Sequence, residues 1–203
     1  MGWPEAIARN AGDDVRETLD GLTAELQAGL ERYWKAAGRI LDNSGIVLHA
    51  PPVDYLAFEK NVFSILFLYS YYRAGIAPDR RCYYAAVNQC LRGMVTGCDN
   101  ILDGEYKQTL DTDLPVKAVR FRSIVDIMVS DRVLFEILLD LADSYHLPSS
   151  IIRKASAASL RALTGSGAQE ASEEDGVEDI PAPDNVLKDI HHYKTGILFQ
   201  CPW

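Results

Sequence analysis

Apolar residues that return every three or four positions, over stretches of many turns, restrict this chain to helices. Val15, Leu19, Leu22, Leu26, Leu30, Tyr33, Ala37 and Leu41 keep that step. They form one stripe of an amphipathic helix from about Asp13 to Asp42. Asn43-Ser44-Gly45 supplies its stop. Strict alternation of apolar and polar residues, the mark of a half-buried strand, stands out nowhere, so the expected class is all-α.

The rest of the chain extends the pattern. After Pro51-Pro52, the stretch from Asp54 to Ala74 carries Phe58, Phe63, Ile65, Leu66, Phe67, Leu68 and Tyr72 with little polar face. It is expected to be a central helix surrounded by others. Pro78-Asp79 opens a third helix in which Tyr83, Val87, Leu91 and Val95 run four apart up to Asp99 and Asp103. Gly104, followed by the acid-rich residues from Leu110 to Pro115, reads as a loop. From Val119 to Tyr145 the apolar density is high again, with Ser130-Asp131 as a point of division. Ser149 or Ser150 caps a shorter helix, Ile151 to Leu163, which Thr164-Gly165-Ser166-Gly167 is expected to end. Residues 165–183 are too poor in apolar groups to offset the entropy of ordering and are expected to form a mobile acidic loop. Asp184 or Asn185 then starts a last helix through Val186, Ile190, Tyr193 and Ile197. One helical domain is expected over residues 1–203.

Charge and cysteine content narrow the partners. The net charge is -9 over 203 residues. Much of it comes from the acids between Glu170 and Asp184, which have no basic residue among them, and the remainder is nearly neutral. There is no basic footprint for nucleic acid. The most apolar run, Val62 to Leu68, is too short to span a membrane. Cys82, Cys90, Cys98 and Cys201 form no CxxC pair or dense framework, and MGWPEAIARN lacks an apolar signal core. A reducing, cytoplasmic setting is the expectation.

Asp99 and Asp103 lie four apart, on one face at the end of an apolar helix. Aspartates are seldom buried without a partner, so the pair calls for solvent or a cation. Hard carboxylate oxygens suit Mg²⁺, which commonly takes one or two protein carboxylates and completes its shell with water and phosphate. Taken alone, the pair is better accounted for by a solvated helix end, so a second feature is needed. That feature is Tyr193-Lys194-Thr195-Gly196-Ile197-Leu198-Phe199, with Lys194 95 residues after Asp99.

Together the two stretches resemble the trans-isoprenyl diphosphate synthases and the wider class I isoprenoid (terpene synthase) superfamily. In those enzymes an aspartate-rich DDxxD motif ends a core helix and holds Mg²⁺ against a diphosphate, which a Lys-Thr pair binds from across the cavity. The resemblance covers roughly Asp54 to Phe199. It implies a helical bundle of that type, Mg²⁺ as cofactor and an allylic prenyl diphosphate as substrate. Asp99, Asn100 and Asp103 would be metal ligands, and Lys194 and Thr195 would hold the diphosphate. Lys60, in Glu59-Lys60-Asn61-Val62-Phe63, matches one position of the family's GKxR signature and becomes a substrate-binding candidate. Met94 and Val95, below Asp99 with Leu91, would form the floor of the prenyl pocket.

This chain departs from the family in several places. Its motif is DNxxD, because Asn100 stands where the family has a second Asp. Lys107-Gln108-Thr109 occupies the region of the usual arginine pair. The second metal motif of the family lies several helices past Lys-Thr, and the sequence ends before it. The resemblance therefore implies part of an enzyme, with the rest of the site coming from further sequence, a homodimer or a separate partner. The expected reaction is metal-assisted departure of diphosphate, leading to prenyl transfer or cyclisation. A non-catalytic helical binding or regulatory subunit of the same fold is the alternative.

Overall fold

The computed structural model describes residues 13–174 and 182–196. The chain divides into two compact units, Met1–Leu141 and Ala142–Trp203, where the sequence reads as one domain. It is all-helical, with no β-strand among the described residues.

The first unit opens with α1, Asp13–Leu41. Its apolar stripe is buried as the periodicity requires: Leu22, Leu26 and Leu30 form a core with Ile65, Leu68, Tyr71 and Ala85. Two short 3-10 turns follow, Val53–Leu56 and Phe58–Lys60, and then helix α2, Val62–Arg73. The expected helix from Asp54 thus begins only after Asn61, whose amide donates to the carbonyls of Tyr55 and Ala57 at 2.7 and 2.9 Å. Those bonds hold the backbone in turns where apolar content alone predicts a helix. Nor is α2 surrounded. Its Ile65, Leu68 and Tyr71 are buried, but Phe63 is 67% exposed and Leu66, Tyr69 and Tyr72 also face outward.

Helix α3, Pro78–Asp103, starts with proline in its first turn and ends at Gly104, whose φ of 66° closes it in the left-handed conformation. Helix α4, Val119–Tyr145, runs on without a break at Ser130-Asp131. The two helices approach closely where α3 has no side chain. A Cβ on Gly97 would lie 2.6 Å from Ile127 Cγ1 and 2.9 Å from the Ser123 carbonyl, and one on Gly93 would collide with Ser130 Oγ. Ser130 stays inside because its hydroxyl shares a hydrogen bond with Tyr33 at 3.0 Å. The loop between α3 and α4 is tied back to the segment after α1 by an antiparallel bridge, Leu48 with Thr112. His49 N–H donates to the Asp111 carbonyl at 2.8 Å, and Asp113 N–H to that of Val47 at 3.1 Å.

In the second unit α5, Ser149–Glu174, buries Ile152 and Ala162. It passes straight through Thr164-Gly165-Ser166-Gly167 instead of ending there. Glycine lowers helix stability by about 1 kcal/mol but does not forbid the helix. Neither Gly165 nor Gly167 takes a positive φ, and the Ala- and Glu-rich residues after them favour continuation. Of the expected loop, residues 165–174 are helical and 175–181 lie outside the described residues. A short α6, Pro183–Asn185, leads into wide π-helical turns over Val186–Gly196. No helix among the described residues is long and apolar enough to cross a membrane.

Candidate functional site

Asp99 and Asp103 are exposed on the last turns of α3. A helix C-terminus carries partial negative charge, so acids there are unfavourable unless a cation offsets them. No basic residue stands in the last turn of α3. The two carboxylates share a face four residues apart, which fits the minimal protein contribution to a Mg²⁺ site. Among the described residues no group of three His, Cys, Asp or Glu side chains is placed to hold a metal. Any ion held here would draw most of its shell from water and ligand oxygens.

Asn100, expected as a third ligand, lies inside at 1% exposure. Its Nδ2 donates to the Lys107 carbonyl at 3.0 Å, and its Oδ1 accepts from Lys107 N–H at 2.8 Å. Both ends of the amide are thus engaged in fixing the chain that leaves α3. The carboxylates, not the amide, are what α3 presents outward.

The same loop is anchored by a buried carboxylate that sequence reasoning missed. Asp126 on α4 is 2% exposed and accepts a hydrogen bond from Tyr106 Oη at 3.2 Å. Burial pushes its pKa up to about 6, against the pull of Thr109, Tyr106 and Arg122 toward the charged form. The Thr109 hydroxyl favours the carboxylate from nearby, although its geometry falls short of a hydrogen bond. Arg122 stacks over the Tyr106 ring at 4.3 Å. Burial also raises the Tyr106 phenol, to about 12, so it remains a donor at neutral pH. In sequence Asp126 is one acid among several on α4. Only its four-residue spacing from the buried positions Arg122 and Ser130 places it on the inner face.

Beside this cluster a cavity of about 300 Å³ opens between α1, the 3-10 turns, α3 and the loop. Trp34 and Tyr55 form its aromatic wall, with ring centroids 4.9 Å apart. Lys60, Asp54, Arg92 and Asp111 line it as charged groups, and Thr109 is part of its inner surface. Lys60 belongs here, but its ammonium is ion-paired with Asp54. Arg92, which the sequence reading passed over, donates to Asn61 Oδ1 at 3.0 Å and to the Lys60 carbonyl at 3.4 Å. Asp99 and Asp103 follow Arg92 by seven and eleven residues, close to whole numbers of turns, so all three share one face of α3. The step from Arg92 to Asp99 is about 10 Å along the axis.

The other expected positions are more dispersed. Met94 is buried and Val95 half-buried on α3, and neither lines this cavity. Lys194 and Thr195 stand near the end of the turns Val186–Gly196 in the second unit. Their side chains, and Ile197, Leu198 and Phe199, lie outside the described residues. No family model, curated protein or solved structure shows significant similarity to this chain.

Proposed function

We propose that this chain binds Mg²⁺ and an allylic prenyl diphosphate as part of a class I isoprenoid enzyme, with Asp99 and Asp103 as the metal-binding carboxylates. The observation that carries the reading is the acid pair exposed on one face, four residues apart, at the negative end of α3. Mg²⁺ held there would neutralise charge on a departing diphosphate. Lys194 and Thr195 enter from their sequence motif as partners of the diphosphate oxygens. The free thiols of Cys82, Cys90 and Cys98 accord with a reducing cytoplasm.

The chain's own residues set what such a site can do. Asn100 and Asp126 fix the loop that follows Asp103, so the two carboxylates project from a braced helix end. Incubation with Mg²⁺ and allylic diphosphates of several lengths tests the reading. A longer prenyl diphosphate identifies a transferase, and a hydrocarbon or alcohol with released diphosphate identifies a cyclase. Mg²⁺-dependent binding without turnover moves the assignment to a non-catalytic subunit of the same class, consistent with Asn100 being turned inward. Absence of both binding and turnover refutes it.

A further inference from the structure

The cavity beside Trp34 has features that the acid-pair site does not explain. Most of its charged groups are already engaged: Lys60 with Asp54 inside the cavity, and Asp111 Oδ1 with His49 Nδ1 outside it at 3.3 Å. Arg92 differs, since the acceptors it meets among the described residues, Asn61 Oδ1 and the Lys60 carbonyl, are both neutral. Deeper in, Thr109 is 4% exposed, and its hydroxyl, drawn toward Asp126, completes no hydrogen bond among the described residues. Buried polar atoms are normally paired, so an unmatched hydroxyl on the cavity's inner surface marks a place shaped for a polar guest. A volume of about 300 Å³ is at the small end of ligand pockets.

We infer that this cavity binds a small carboxylate monoanion through Arg92, with the Thr109 hydroxyl as its inner hydrogen-bond partner and the Trp34 and Tyr55 rings as its apolar wall. A diphosphate, with several negative charges, does not match one uncompensated guanidinium beside Asp54 and Asp111. Recognition by Arg92 requires no metal, which separates this site from the proposed one at Asp99 and Asp103.

Calorimetric titration of the full chain in EDTA with 4-hydroxybenzoate and with phenyl phosphate tests the inference and distinguishes the two anion classes. 4-Hydroxybenzoate should bind saturably, and more tightly than the phenyl phosphate dianion. Arg92→Met should weaken that binding at least tenfold and Thr109→Val, nearly isosteric, about fivefold. Thermal melts of both variants show whether they remain folded, and Thr109→Val provides the reading if Arg92→Met does not. No saturable binding of 4-hydroxybenzoate, tighter binding of phenyl phosphate, binding that requires Mg²⁺, or binding unchanged by both substitutions would overturn it. Because the titration is run without free metal, its failure leaves the Mg²⁺ reading of Asp99 and Asp103 untouched, and the converse also holds.

Discussion

Helices α2 and α3 invert the simple relation between apolar sequence and burial. α2 is the more apolar of the two, yet Phe63, Leu66, Tyr69 and Tyr72 are exposed and only one side is covered. α3 carries Arg81, Asn88, Gln89 and Asn100, and all four are buried. What places α3 inside is small residues where other helices cross it, Ala85 and Ala86 and then Gly93 and Gly97, together with partners for its polar groups. Arg81, for example, donates from Nε to Glu25 Oε2 at 2.7 Å and from Nη2 to Oε1 at 2.5 Å, and its other amino group reaches the Ile76 carbonyl. Close approach and polar satisfaction, more than apolar count, decide which helix is central.

The sharpest way to break this comparison is to remove a polar partner from α3. Glu25→Ala leaves the Arg81 guanidinium, 8% exposed in its side chain, without its carboxylate. The cost should be about 3–5 kcal/mol, visible as a large drop in the urea midpoint. A loss below about 1 kcal/mol would mean that the pair is not what holds α1 to α3 at that end.

Asp126 tests the same idea with the opposite sign. Its pKa is raised to about 6 by burial, against about 3.9 in an unfolded chain. The protonated form is therefore the one that folding favours. Its contribution is fully present below about pH 4 and is lost as pH rises through about 6. Asp126→Asn, which cannot ionise, should match the wild type near pH 4 and exceed it by about 2–3 kcal/mol above pH 7. Denaturation at several pH values would show it, and a difference independent of pH would contradict the burial argument. The smallest effect is expected on α2. Phe63→Ser should change stability by no more than about 0.5 kcal/mol in the same assay, because the side chain is largely in water already.

The helical class and three long helices were legible from periodicity, since α1, α3 and α4 begin and end close to where their apolar steps and Pro or Gly signals place them. Where local signals misled, a physical competitor can be named. Asn61 holds the chain in 3-10 turns ahead of α2, and the glycines at 165 and 167 adopt ordinary helical geometry within α5. The acid pair was legible because exposure at a helix end follows from spacing and composition. Asp126 and Arg92 were not, because a charged residue on a long helix reads as solvent-facing until its neighbours are known. Asn100 shows the limit of motif reasoning: its place in the motif says ligand, while its amide holds Lys107.

The central claim is that Asp99 and Asp103 hold a metal for a diphosphate. Isothermal titration calorimetry with an allylic diphosphate, with and without Mg²⁺, tests it most directly. Mg²⁺-dependent binding, abolished by Asp99→Ala and by Lys194→Ala, is the predicted result. Equal binding in the presence and absence of Mg²⁺ would contradict the account.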